Sequence, residues 1–194
     1  MSVFLLGGKA KGFEITLPSK VSFRPTSVML RRKFFDYKQN WEEQTFVDLC
    51  AGSGVMSFEA LSRGARQIYL NDTSMQQVKM LNQRKDSWCE KFPEDSSKIH
   101  ISKTDSLKFT LDLEIKNGTW LFFDPPYEDI KLYQQFFEMM HGKVIDASSA
   151  VVVEYEFRTK SPPTWMAEME KFRSNRKCRE LQSSDRRMVI IQGE

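Results

Sequence analysis

The chain has little of what a metal site or a disulfide scaffold requires. Its only histidines are His100 and His141, and its three cysteines, Cys50, Cys89 and Cys178, lie far apart with no Cys-x-x-Cys pair. That argues against a zinc site and against a disulfide framework, and it points to a reducing cytoplasm. No apolar run approaches the ~18 residues of a membrane span. The stretch from Met1 to Gly8 lacks a basic region and is too briefly apolar for a signal peptide. No Walker lysine follows the glycine turn near residue 52, which disfavours a triphosphate ligand. What is present, 194 residues at 40% hydrophobic, suffices for one domain with a full core and a small appendage.

The net charge is only +3, but it is unevenly spread. Residues 1–40 carry Lys9, Lys11, Lys20, Arg24, Arg31, Arg32, Lys33 and Lys38 against Glu14 and Asp36. The segment from Arg158 to Arg187 is basic as well, and the middle is correspondingly acidic. Such asymmetry suits a polyanionic partner reached by the chain ends, although an ordinary solvated surface would give the same pattern.

The most informative stretch is Asp124-Pro125-Pro126-Tyr127, which ends the apolar run Trp120-Leu121-Phe122-Phe123. The run reads as a buried strand that two prolines stop abruptly. In open α/β sheets, ligands sit just beyond the carboxyl ends of strands. A carboxylate, a prolyl carbonyl and an aromatic face within four residues suit the holding of a flat, amino-bearing ring. A plain turn with an exposed tyrosine is the bland alternative.

Taken in order, Val3–Leu6 and Phe13–Leu17 form a hairpin punctuated by Gly7, Gly8 and Gly12. Thr26 caps a helix to about Tyr37, with Val28, Leu30, Phe34 and Phe35 on its apolar face. Phe46–Cys50 is a buried strand that enters Ala51-Gly52-Ser53-Gly54 and a helix from Val55 to about Arg63. Strand, glycine turn, helix presents free N–H groups to a ligand. Ser57 stands where a full dinucleotide fingerprint has its third glycine, and a lone Gly-x-Gly serves packing equally well.

Gln67–Asn71 is the second strand. Asp72 follows about twenty residues after the glycine turn, where an acid commonly takes ribose hydroxyls, and it could also cap the helix starting near Ser74. That helix runs to about Glu90, with Met75, Val78, Leu81 and Trp88 turned inward. Pro93–Ser97 reads as a polar loop. Lys98–Ser102 is the third strand, ending at Asp105-Ser106. A helix over Ile130–His141 and a strand over Ala150–Glu156 complete another repeat, and Ser161-Pro162-Pro163 breaks the pattern. Phe172–Leu181 and Arg187–Gln192 read as an antiparallel pair joined across Ser183-Ser184-Asp185.

The βαβα alternation argues for an α/β, doubly wound, Rossmann-like sheet. The glycine turn, Asp72, Asp105 and Asp124 then all fall at carboxyl ends of strands. They describe one crevice, which would hold a nucleoside, with Asp72 on ribose and Asp105 on adenine, next to a flat amino ring.

At this point the residues resemble a family. Asp48-Leu49-Cys50-Ala51-Gly52-Ser53-Gly54, followed by Glu59-Ala60-Leu61-Ser62-Arg63-Gly64-Ala65, is similar to the first motif of the RsmD-like methyltransferases. Gly7-Gly8 with Lys11-Gly12, then Arg24-Pro25-Thr26, resemble the family's N-terminal signature, and Asp124-Pro125-Pro126-Tyr127 its catalytic motif. The likeness covers nearly the whole chain. Val28 and Met29 stand where the family usually has an Asp-Arg pair, and Cys50 replaces a usual phenylalanine.

The resemblance implies a seven-stranded, mostly parallel sheet with its last strand antiparallel, behind a small hairpin-helix extension over residues 1–40. Residues 41–194 would form the class I methyltransferase domain. It implies S-adenosyl-L-methionine as cofactor, held by Asp48, Ala51, Gly52, Ser53, Gly54, Asp72, Asp105 and Ser106. The reaction would be methylation of a guanine N2 in small-subunit (16S) ribosomal RNA, with Asp124, Pro125, Pro126 and Tyr127 at the reacting amine. Lys9, Lys11, Arg24, Arg31 and Arg32 are the expected RNA contacts. The partner would be ribosomal RNA or the small subunit, with no metal, no membrane and a monomeric chain. Two rivals stand beside it: an adenine-N6 methyltransferase acting on DNA or RNA, and a catalytically silent RNA-binding or assembly factor.

Overall fold

In the computed structural model, described for residues 2–17, 26–157 and 164–194, the predicted alternation is realised. A hairpin of β1 (Ser2–Phe4) and β2 (Glu14–Thr16) precedes helix α1 (Val28–Tyr37). Then follow β3 (Thr45–Asp48), α2 (Val55–Ser62), β4 (Gln67–Asn71), α3 (Met75–Lys91), β5 (Ile99–Ser102) and α4 (Ser106–Leu111). The chain continues through β6 (Thr119–Phe123), α5 (Ile130–Met140), β7 (Ala150–Glu156), α6 (Met166–Arg173), β8 (Cys178–Ser183) and β9 (Arg186–Gln192).

Seven strands make one sheet in the order β5-β4-β3-β6-β7-β9-β8. The pairings from β5 through β7 are parallel, and β9 runs antiparallel to both β7 and β8. The last strand is therefore the antiparallel one, as the family resemblance implies. From β3 the chain winds outward to β5, then returns to lay β6 on the other side of β3. That reversal puts the ends of β3 and β6, Asp48 and Asp124, on either side of a switch point, where such sheets bind ligands.

Both faces of the sheet are covered at its centre, so β3 and β6 are buried at every position rather than alternately. Phe46, Ile68, Leu70, Phe122, Val152 and Ile190 pack on one face with residues of α1, α2 and α3. Val47, Leu121, Phe123, Val151, Val153 and Ile191 pack on the other with residues of α5 and α6. Each large side chain buried in these layers contributes about 1.5–3 kcal/mol by removal from water.

The hairpin is seated on α2. The Leu6 N–H donates to Glu59 Oε2 at 2.6 Å, and Glu59 Oε1 takes Arg63 Nε at 2.7 Å. Ser62 Oγ accepts the Ala10 N–H at 2.9 Å and donates to the Gly7 carbonyl at 2.6 Å. Gly8 lies so close that a Cβ there would come within 1.9 Å of the Ser62 carbonyl oxygen. The Gly-Gly pair and the Glu-Ala-Leu-Ser-Arg run, far apart in sequence, are thus two halves of one contact.

Several expectations are corrected. Ser27, not Thr26, caps α1: its Oγ accepts the Leu30 N–H at 3.1 Å. Val28 and Met75 lie in first helical turns and are 50% and 62% exposed, outside the apolar faces expected for them. Pro93–Lys98 forms a 3₁₀ turn around buried Asp95, which accepts from Trp88 Nε1 and Lys98 Nζ, both at 2.9 Å. The strand expected over Phe172–Leu181 is instead the end of α6 followed by β8. Phe172 and Met169, three residues apart on one helical face, are both buried in the layer shared with α5. Ser161-Pro162-Pro163 lies outside the described residues.

Candidate active site at the switch point of the sheet

A cavity of about 1000 Å³ opens at the carboxyl edge of the sheet. Asp48, Ala51, Gly52, Ser53, Asp72, Asp105, Ser106, Asp124, Pro125, Pro126 and Tyr127 all line it, and Thr26 and Arg186 join them. The structure therefore brings together every expected cofactor and catalytic residue except Gly54. Gly54 caps α2 with a left-handed backbone, φ 70°. A Cβ there would meet Leu81 at 2.8 Å and Leu70 at 2.9 Å, so that glycine is required by the core behind the turn.

The acids at the strand ends are held in different ways. Asp72 ties the loops: its two carboxylate oxygens accept the Gly52 and Ser74 N–H groups, each at 2.9 Å. Ser74 itself caps α3, so Asp72 is not the cap. Asp105 caps α4, with one oxygen taking the Leu107 and Lys108 N–H groups at 3.0 Å. In both residues lone pairs remain for hydroxyl or amine donors. Asp48 is 2% exposed, and its Oδ2 accepts from Ser57 Oγ at 3.0 Å. Its Oδ1 is buried with no partner. Ser57, the apparent defect in the glycine fingerprint, is thus the support of this carboxyl.

Burial pushes the Asp48 carboxyl up to about 7, the Ser57 hydrogen bond opposing and the Asp72 charge adding. The Asp124 carboxyl is pushed well above its ordinary range, first by burial and then by the charges of Glu154 and Asp48, with Arg186 opposing. Glu154 is fully buried on β7, and burial raises its carboxyl too, against Thr26 and Arg186. Its Oε1 accepts the Tyr127 hydroxyl at 3.1 Å and lies 3.5 Å from Arg186 Nη1. The Arg186 guanidinium carbon stands 5.6 Å from the centre of the Tyr127 ring. Tyr133 donates to the Glu154 backbone carbonyl at 2.9 Å, with its hydroxyl 3.5 Å from the Pro125 carbonyl.

Glu154 and Arg186 were missed at the level of sequence. The available signal was an acid inside the otherwise apolar strand Ala150–Tyr155. Such a residue is rarely buried without a purpose, because taking a charge out of water is costly.

Among the described residues, seven acids line the cavity, Asp48, Asp72, Asp105, Asp124, Glu128, Asp129 and Glu156, against one basic residue, Arg186. A pocket of that sign favours cationic ligands and repels phosphates. Of the expected RNA contacts, Lys11 and Arg32 are exposed. Arg31 is not available: it is 1% exposed, and its Nη2 donates to the Phe4 carbonyl at 2.7 Å beneath the hairpin. Lys9 is held by Asp95 at 2.7 Å and Glu94 at 2.9 Å. Arg24 lies outside the described residues.

Comparison with known proteins agrees with this architecture. Residues 3–182 match the model of the family described as conserved hypothetical protein 95. The chain is 23% identical over 186 residues to the ribosomal RNA small subunit methyltransferase D of Buchnera aphidicola, covering 91% of each. Among solved structures it superposes on yhhF of Escherichia coli, provisionally described as a methyltransferase, with a TM-score of 0.77 at 18% identity, over 100% of this chain and 99% of that one. HI0767 of Haemophilus influenzae, provisionally described as a methylase, gives a TM-score of 0.70 at 18% identity with the same coverage. No described helix is long and apolar enough to cross a membrane.

Proposed function

The chain belongs to the family described as conserved hypothetical protein 95, the RsmD-like family, and from that membership we propose that it is an S-adenosyl-L-methionine-dependent methyltransferase acting on the exocyclic N2 amine of a guanine in small-subunit ribosomal RNA. The observation that carries this reading is the Asp124-Pro125-Pro126-Tyr127 turn, set across the switch point from Asp48 and Gly52 in a cavity whose charged lining is mostly acidic. The substrate is ribosomal RNA or the small subunit, the setting is the cytoplasm, and the chain acts as a monomer.

The residues present fit such a cofactor. S-adenosyl-L-methionine, when bound, supplies a methyl group on a positively charged sulfur, and carries an ammonium and two ribose hydroxyls besides. The unpartnered Asp48 oxygen, which faces a loss of solvation with nothing in return, matches the ammonium. The remaining lone pairs of Asp72 suit ribose hydroxyls, and those of Asp105 suit the adenine amine. Ala51, Gly52, Ser53 and Ser106 complete the wall between them.

At the other end, Asp124 and the Pro125 carbonyl accept the two N–H groups of the guanine amine. That nitrogen's lone pair is delocalised into the ring and is a poor nucleophile. Hydrogen bonds that favour a pyramidal nitrogen, and that stabilise the positive charge developing on it, act in the transition state more than in the ground state. The raised Asp124 carboxyl is well suited to take the proton that the amine must shed once the new bond has formed. Two prolines hold these acceptors in one shape, so little reorganisation is needed as the reaction proceeds. The base must leave its stack, and Tyr127 replaces the neighbour it loses.

The test is transfer of tritiated methyl groups to small ribosomal subunits from a strain lacking this protein, followed by digestion to nucleosides. Label in N2-methylguanosine is expected. Label in N6-methyladenosine would establish the adenine reading, which the same turn could serve, and no label at all would leave only an RNA-binding role.

A further inference from the structure

Tyr127 is fixed by more than the prolines before it. Its hydroxyl is anchored to Glu154 Oε1, 3.1 Å away, while Arg186, 3.5 Å from the same oxygen, stands over the ring. Neither partner is an exposed side chain that happens to lie near: Glu154 is 0% and Arg186 8% exposed. They come from adjacent antiparallel strands, β7 and β9, where Glu156 is the register partner of Arg186. Position 154 also reaches the first half of the turn, since its backbone carbonyl holds the Tyr133 hydroxyl beside Pro125.

The energetics argue against a purely architectural role. A buried ion pair is seldom worth more than well-packed apolar side chains of the same volume, because both charges must be desolvated. Here Glu154 stands between the run Ala-Val-Val-Val and Tyr155, where an apolar residue would pack without that cost. The pair meets one aromatic ring at its tip and on one face. A tyrosine has two soft torsions; a hydrogen bond at its tip and a guanidinium on one face remove the freedom that remains.

We propose that Glu154 and Arg186 are positioning residues that clamp the Tyr127 ring, so that its cavity face is a preformed slot for the target base. This rests on the function proposed above, and it adds that the tyrosine hydroxyl matters as well as the ring. Arg186 itself lines the cavity and covers one face of the ring, so the base is taken on the face that the guanidinium leaves open. The clamp spares the bound base from having to organise its own stacking partner, so its effect falls on kcat. RNA phosphates are gripped elsewhere, so KM for subunits is left nearly unchanged.

The test uses the full chain with 3-fluorotyrosine at position 127. Fluorine NMR without RNA or cofactor should give two resonances in slow exchange, one for each position of the ring. In Arg186→Met they should merge into one; the carboxyl of Glu154 can take a proton there, so the variant can fold. Tyr127→Phe, which keeps the ring and deletes only the hydroxyl, should lower kcat for subunit methylation by about tenfold, with S-adenosyl-L-methionine affinity unchanged. Combining it with Arg186→Met should cost no more than about twofold beyond the worse single change, because both break one device. A single averaged resonance in the wild type overturns the clamp. So does a kcat within about twofold of wild type for both single variants, while Tyr127→Ala is inactive. Two wild-type resonances in a protein that transfers no methyl group would support the clamp and overturn the function instead.

Discussion

The seat under the hairpin and the cleft at the strand ends both bury acids, and they treat them in opposite ways. Glu59, fully buried in the seat, has one oxygen on the Leu6 N–H and the other on Arg63. In the cleft, one oxygen of Asp48 and one of Glu154 are buried without a partner, and Asp124 is crowded by like charges. A satisfied buried acid is carried by a fold at little net cost; an unsatisfied one costs free energy that the fold alone does not return. The difference separates architecture from chemistry inside one small domain. It also reassigns a motif: the Glu-Ala-Leu-Ser-Arg run that resembles the family's first motif holds the hairpin, and the ligand is left to the residues before it.

The comparison is broken most forcefully at the seat. Glu59→Ala strands Arg63 and the Leu6 N–H, and is expected to cost about 3–5 kcal/mol of stability, read by urea denaturation. The kcat of the fraction that stays folded should be close to wild type. A large loss of kcat at unchanged stability would move Glu59 into the chemistry.

The next effect is one of pH and concerns Asp48. With its folded carboxyl at about 7, the native state keeps a proton that the unfolded chain loses near its ordinary value of about 3.9. Between those values the native state binds more protons than the unfolded one, so stability falls as pH rises from about 4 to about 7. Asp48→Asn should flatten that fall, a difference of about 2–4 kcal/mol at neutral pH in cofactor-free protein. Parallel melting curves across the window would remove Asp48 from the list of strained acids.

Smaller again is the loss at Asp72, which is only partly buried and partly spent on its loops. Asp72→Ala should weaken S-adenosyl-L-methionine by about 1–3 kcal/mol in calorimetry. An unchanged affinity would leave Asp72 a loop tie and nothing else.

The smallest effect sharpens the comparison at the surface. Lys11→Ala with Arg32→Ala should lower the salt slope of RNA binding by about 2, one for each phosphate contact. Lys9→Ala and Arg31→Ala should instead lower the melting temperature, because both side chains are already engaged within the protein. If Lys9 or Arg31 changed the slope and Lys11 and Arg32 did not, the hairpin would have to move on binding RNA.

Much of this was legible in the sequence because local signals carried it. Strand β7 was delimited residue for residue, since the β-branched run Val151–Val153 and Tyr155 mark a strand despite Glu154 and Glu156. The switch point followed from counting strand ends, and the cleft residues with it. What failed were features set by distant partners. Phe172 looks like strand but belongs to a helix, because the layer shared with α5 accepts its helical face with Met169. Arg31 looks like one member of an exposed basic turn, yet it points beneath the hairpin to the Phe4 carbonyl. Glu154 and Arg186 are thirty-two residues apart, and no local pattern joins them. Gly54 was placed in the right turn for the wrong reason, since its Cβ direction faces Leu70 and Leu81 rather than the ligand.

The most direct test of the central claim is made on Asp124, with melting temperature and single-turnover methyl transfer measured on the same preparation of Asp124→Asn. The acids of the cleft being held there for chemistry, the variant should melt at or above the wild-type temperature. Its transfer to small subunits should fall by roughly 100-fold or more. A variant that melts well below wild type, yet transfers methyl groups at the wild-type rate while folded, would contradict the account.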